Sequence, residues 1–139
     1  MAVFLNNNVG VKINSVDLSA YVTSVTLNRS FDELEVTAMG DSGHKFVKGL
    51  EASSITIDFL NDTATGTVLP TLQAAWGTNV TVVLLQTKGT AVSATNPLYT
   101  ATCLINNTTD INGAVSDIGV QSLTFNVSGT VAVATTGTF

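Results

Sequence analysis

His44, Cys103 and the carboxylates of Asp41, Asp58, Asp110 and Asp117 are the side chains of this sequence best suited to covalent or acid–base chemistry. Asp41, Ser42 and His44 stand close together, the residue types of a hydrolytic triad. A triad needs nucleophile, base and orienting group at fixed geometry. Here all three fall in one polar, glycine-punctuated stretch that does not preorganise them, so a solvated loop histidine is expected. Cys103 falls on the apolar face of an alternating segment with no cationic neighbour, so it reads as a small buried hydrophobe. Paired carboxylates could serve glycoside hydrolysis. Asp58 sits on a strand opposite Ile57, Asp110 and Asp117 lie in loops, and aromatic residues reach only 6%, so no sugar-binding cleft is visible. None of the 11 glycines belongs to a phosphate-binding pattern between a strand and a helix. One Cys excludes an internal disulfide and a Cys-based zinc site, and one His excludes a His-rich metal site. Asn-x-Ser/Thr triplets such as Asn79-Val80-Thr81 follow by chance from an Asn- and Thr-rich composition. No enzyme, cofactor or metal is expected.

Composition points elsewhere. The 139 residues fit one domain, 1–139. Hydrophobic residues make up 45% and charged residues only 11%, against about 25% in ordinary domains. The deficit is filled by 22 Thr, 12 Asn and 11 Ser, and together with 18 Val the β-branched content favours strands. The net charge of −5 leaves no basic footprint for nucleic acid. No apolar run approaches the roughly 18 residues of a membrane-spanning helix. Met1 to Gly10 has no basic stretch ahead of an apolar one, so no signal peptide is expected and the cytoplasm is the default compartment.

The elements follow from periodicity. Asn6 to Asn8 is a polar turn or the root of an N-terminal arm, and Val9 to Ile13 alternates as a half-buried strand. Asp17 to Ser19 is a turn. Tyr21, Thr23, Val25, Leu27 and Arg29 share one strand face, which Phe31 extends. Asp32 to Leu50 is a long charged excursion, part of it strand-like enough to reach out as a ribbon. Ser53, Ile55, Ile57 and Phe59 alternate with Ser54, Thr56 and Asp58. Asn61 to Thr63 signals a helix start, and Val68, Leu69, Leu72, Ala75 and Trp76 recur at helical spacing, giving a helix over about Thr65–Ala75 stopped by Gly77. Val80 to Gln86 is apolar on both parities and reads as a central strand buried on both faces. A loop runs from Lys88 to Pro97, and Tyr99, Ala101, Cys103 and Ile105 line the next strand. After a turn at Asn106 to Asn112, Leu123, Phe125 and Val127 face inward and Ser122, Thr124, Asn126 and Ser128 outward. Val131 and Val133 continue that strand past Gly129, and the tail from Thr135 to Phe139 is loose. The sum is all-β with one short helix, a sandwich or barrel.

The low charge leaves broad neutral polar faces, which are cheaper to desolvate than charged ones and can be buried between subunits. A ribbon projecting from a β core can pair with a neighbour's edge, and its charges can set register and partner. Head-to-tail repetition of such contacts closes into rings when the rotation permits.

The segments Leu27-Asn28-Arg29-Ser30-Phe31-Asp32, Glu35-Val36-Thr37-Ala38-Met39-Gly40-Asp41, Gly49-Leu50-Glu51 and Ile55-Thr56-Ile57-Asp58-Phe59 resemble the major tail (tail tube) proteins of long, non-contractile-tailed bacteriophages, and related gene-transfer-agent tail proteins. The likeness covers about a quarter of the chain and rests on order and spacing. It implies a tail-tube-type β-sandwich or barrel whose hexameric rings stack into the tube through which DNA leaves the virion without specific binding. Asp32 to Gly49 would reach a neighbouring subunit or ring, making Asp32, Glu33, Glu35, Asp41, His44, Lys45, Phe46 and Lys48 inter-subunit candidates. Ala2–Asn8 and Thr135–Phe139 would add contacts between rings. An acidic lumen would keep DNA from sticking; Asp58, Ser122, Thr124 and Asn126 are its candidate lining. Tape-measure, tail-tip and terminator proteins are the implied partners, and the virion tail, assembled in the host cytoplasm, the implied location. A head decoration protein or tail terminator with a similar core is the alternative. A carbohydrate-binding module would need exposed aromatics, and only Trp76, Tyr21 and Tyr99 could serve, of which Trp76 reads as helix core.

Overall fold

Strict alternation builds the inner strands. Ile55, Ile57 and Phe59 are wholly buried while Ser54, Thr56 and Asp58 between them are not, because successive strand side chains point to opposite faces. The computed structural model describes residues 8–139; the N-terminal segment Ala2–Asn8 lies outside them apart from Asn8. The strands are β1 (Gly10–Ile13), β2 (Val16–Asp17), β3 (Val22–Asn28), β4 (Phe31–Glu35), β5 (Phe46–Glu51), β6 (Ser54–Leu60), β7 (Asn79–Leu85), β8 (Leu98–Leu104), β9 (Val120–Asn126) and β10 (Ala132–Ala134). The helix α1 is Val68–Ala74.

A five-stranded sheet in the order β10-β8-β7-β1-β2 faces a three-stranded sheet in the order β3-β6-β9, and β4 and β5 form a separate ribbon. Every strand pairing is antiparallel. Among the described residues the sheets do not close into a barrel, and the architecture is an all-β sandwich with one α-helix. One core joins Val11, Ile13, Val82, Ala101 and Cys103 of the larger sheet to Ile55, Ile57, Phe59, Leu123 and Phe125 of the smaller. Helix α1 adds Val68 and Leu72, and Ala75 follows just past its end. The buried polar residues bond internally: Asn96 Nδ2 donates to the carbonyls of Thr87 at 3.1 Å and Thr90 at 3.2 Å, while its Oδ1 accepts from Thr87 N–H at 3.1 Å. That staples the loop between β7 and β8.

Several local expectations are corrected. The register of β3 on β6 shifts between Val22 and Ser24, so Val22 joins Val25 and Leu27 on the half-buried face and Thr23 turns outward. Phe31 does not extend that face; it opens the ribbon. Asp17 to Ser19 is more than a turn, since Asp17 pairs with Lys12 in β2 and Ser19–Tyr21 forms one 3-10 turn. The helix is shorter than its periodicity suggests. Asp62 accepts from Ala64 N–H at 2.8 Å and organises the turn ahead of α1 instead of capping it. Trp76, two residues past the helix end, loses the helical phase and is 56% exposed rather than core. Strand β7 is central, between β1 and β8, but Thr81 is exposed and Val83 half-buried, so its outer face is only partly covered. Strand β10 does not continue β9. Ser128 N–H donates to Thr102 O at 2.7 Å and carries the chain across to β8 in the opposite sheet. The tail ends packed, with the Phe139 ring 4.5 Å from Lys12 Nζ. Gly10 makes room for it: a Cβ there would lie 2.9 Å from Phe139 Cζ.

Phe125 is wholly buried at the centre of this core. Phe125→Ala should destabilise the fold by about 3–5 kcal/mol in urea unfolding; a loss below about 1 kcal/mol would show that the site collapses around the cavity or is not central.

Candidate functional site

Two surfaces stand out. The first is the ribbon. Glu33 pairs with Lys48, Leu34 with Val47 and Glu35 with Phe46. Alternation then places Phe31, Glu33, Glu35, Phe46 and Lys48 on one face and Asp32, Leu34, Val36 and Val47 on the other. On the first face Lys48 Nζ stands 4.5 Å from the Phe31 ring centre, and His44 meets both the Glu35 carboxylate and, at 6.3 Å between ring centres, Phe46. On the second face Gly49 permits close strand approach, since a Cβ would lie 2.8 Å from Asp32 O. The ribbon is pinned at its root, where Ala52 N–H donates to Ser30 O at 2.8 Å and Ser30 Oγ to Ala52 O at 2.7 Å. Its tip is tied by Lys45 Nζ to Asp41 at 2.8 Å and Ala38 N–H to Asp41 at 2.8 Å.

Apolar side chains on this ribbon are uncovered. Leu34 is 52% exposed, Val36 49%, Phe46 55% and Val47 47%. No third strand or helix packs on it among the described residues. A lone two-stranded hairpin is marginal in water, and contiguous exposed apolar surface marks an interaction site.

The second surface is the outer face of the three-stranded sheet. Register aligns Ser24 with Asp58 and Ser122, Thr26 with Thr56 and Thr124, and Asn28 with Ser54 and Asn126. The result is a grid of hydroxyls and amides with one carboxylate and no cation. Ser122 Oγ donates to Asp58 Oδ1, and Thr56 and Thr124 hydroxyls meet at 3.1 Å.

The candidate residues therefore fall into two groups. Asp32, Glu33, Glu35, Asp41, His44, Lys45, Phe46 and Lys48 all lie on the ribbon or its tip. Asp58, Ser122, Thr124 and Asn126 all lie on the grid. His44 faces Glu35, while Asp41 is engaged by Lys45 and Ala38, so the Asp41, Ser42 and His44 arrangement of a triad does not form. Cys103 is buried, and burial pushes its thiol up to about 11. Sequence reasoning missed Ser24, Thr26 and Asn28 as grid members, although their alternation with Val25 and Leu27 carried the signal. It also missed Gln121, buried on the inner face, which accepts from Thr109 N–H and donates to Asn61 Oδ1, each at 3.0 Å.

No family model matches the chain, and no curated protein matches it. Its fold is similar to that of a chain in the cryo-EM structure of the anti-feeding prophage (AFP) baseplate, 6-fold symmetrised. The TM-score is 0.57 at 12% identity, over 96% of this chain and 97% of the other.

Lys45 and the Ala38 N–H hold the Asp41 carboxyl below its ordinary 3.8. A depressed carboxyl adds order above its unfolded-state value and loses it as pH falls through the folded-state value. Amide exchange at Ala38 should therefore accelerate on acidification below 3.8, measured relative to the intrinsic rate. In Asp41→Asn it should be fast at neutral pH and lose that acid dependence. Equal protection in the variant at neutral pH would mean that Asp41 does not order the tip.

Proposed function

We propose that this chain is a structural subunit of a phage tail-like particle. Copies assemble into hexameric rings, the rings stack into a tube, and DNA is ejected through it. The observation that carries this reading is the ribbon, whose apolar side chains nothing among the described residues covers. A surface of that kind is stable in use only when a neighbour buries it. The likeness in fold to a chain of a 6-fold symmetrised baseplate supports six copies per ring.

In this reading the ribbon carries the contact between copies. Leu34, Val36, Phe46 and Val47 supply burial, and Asp32, Glu33, Glu35, Lys45 and Lys48 fix the partner's orientation. The grid of Asp58, Ser122, Thr124 and Asn126 with their β3 and β6 neighbours lines the lumen. A wall without cations releases no counterions from DNA and so does not hold it. The chain needs no cofactor for this role. Tape-measure, tail-tip and terminator proteins are its partners in the virion tail, which is assembled in the host cytoplasm.

Negative-stain electron microscopy and light scattering over a concentration series test the reading. Uniform tubes or stacked rings are expected. Particles that stop at one fixed small size at every concentration overturn it and favour a decoration protein or tail terminator. Leu34→Lys combined with Val47→Glu should keep the fold, since both side chains are exposed and the new charges pair across the strands, yet raise the concentration needed for assembly about tenfold. Tubes of normal length from that variant would remove the ribbon from the interface.

A further inference from the structure

We infer that the groove between β3 and the five-stranded sheet receives the ribbon of a second copy. The inference rests on the assembly reading above and adds the surface on which the ribbon docks. Strand β3 is an edge strand, with β6 on one side and no strand on the other among the described residues. Its sequence Val22–Asn28 holds no charge and no proline. Its bulge lies at the Val22 end, leaving Val25 to Asn28 straight. An edge without protecting charges is a template for added chain. The opposite edge of the same sheet is handled differently: Asn107 Nδ2 donates to Thr124 O at 3.0 Å and Asn112 Nδ2 to Val120 O at 3.1 Å, so side chains occupy part of β9's outer edge.

Beside the open edge lies a groove of about 990 Å³. Val22, Val25 and Leu27 of β3 and Tyr99 of β8 line it beside polar groups of Asn8, Ser19 and Ser24, while Leu84 and Leu85 of β7 are buried in its wall. Arg29 and Lys88 are its cations. Lys88 is paired with Asp17 at 2.7 Å, whereas Arg29 has no ionic or ring partner among the described residues. The ribbon offers the complement. One face carries Leu34, Val36 and Val47 with Asp32 beside them, and its acidic residues outnumber its lysines. The ribbon's root is pinned by the paired hydrogen bonds between Ser30 and Ala52 and no ribbon residue lines the groove of its own chain, so a ribbon seated there comes from another copy. Each copy then has one ribbon and one groove, a head-to-tail contact that closes into a ring or runs on as a filament.

Charge exchange between copies tests this. Arg29→Glu alone and Asp32→Arg alone should each raise the assembly concentration about tenfold. An equimolar mixture should restore it to near the wild-type value, because alternating copies make only native or fully exchanged junctions. If Arg29→Glu assembles like wild type, or the mixture does no better than either variant, the groove is wrong while wild-type tubes leave the assembly reading standing. If wild type forms no rings, the assembly reading falls, and the groove is judged by disulfide capture between Arg29→Cys and Leu34→Cys copies, with Cys103 buried out of competition. Mixed dimers support it; dimers of Leu34→Cys copies alone, which indicate ribbon-on-ribbon pairing, or no dimers at all, overturn it.

Discussion

Strand β6 has to hold one register between β3 and β9, because its alternation is what distinguishes the two faces of the smaller sheet. In the observed register Ile57 lies between Val25 and Leu123, and Thr56 between Thr26 and Thr124. A slip by one residue would turn Ile55, Ile57 and Phe59 to water, at about 1.5–3 kcal/mol each. It would also bury Asp58 without a partner. Gln121 reinforces the choice from the far end. It sits opposite Phe59, buried, with its amide bonded to Asn61 just past β6 and to the Thr109 backbone. The core, the polar grid and the direction in which the ribbon leaves all follow from that register.

Where alternation is clean, the sequence was enough to place the element and its faces. Ile55, Ile57 and Phe59 on β6, Ala101 and Cys103 on β8, and Leu123 and Phe125 on β9 are buried as their period implies. The ribbon was visible as a possibility because Val36 and Phe46 interrupt a charged stretch. What could not be read locally were events that change phase or partner. The bulge at Thr23 shifts β3 by one residue. The end of α1 before Trp76 breaks a helical spacing that continues on paper. The crossing at Ser128 sends β10 to the other sheet, since pairing with β8 depends on a strand more than twenty residues upstream. Of the site, the individual residues were legible, but their alignment into a grid required knowing that β3 and β9 flank β6.

The few charges stay close to home. Lys45 engages Asp41, Lys48 lies over Phe31, Lys12 over Phe139 and Lys88 against Asp17. Burial works to raise Asp17, but hydrogen bonds from Lys88 and Ser19 outweigh it and keep the carboxyl below its ordinary 3.8. With the four lysines held by local partners and Arg29 in the groove, no cation stands on the grid, and Asp58 is its one ionic group. Neutral hydroxyls are weaker attractors of ions than carboxylates or ammonium groups, so the salt sensitivity of this face is expected to be small.

The ribbon has a kinetic consequence. Two strands without a third layer gain little from folding by themselves, so free copies carry part of the ordering entropy still unspent. The first two copies to meet would bear that loss for a single contact. A copy joining a completed end, where several surfaces are offered together, would recover more for the same loss. In the assembly proposed above, growth would then show a lag that shortens as concentration rises and disappears when preformed ends are added.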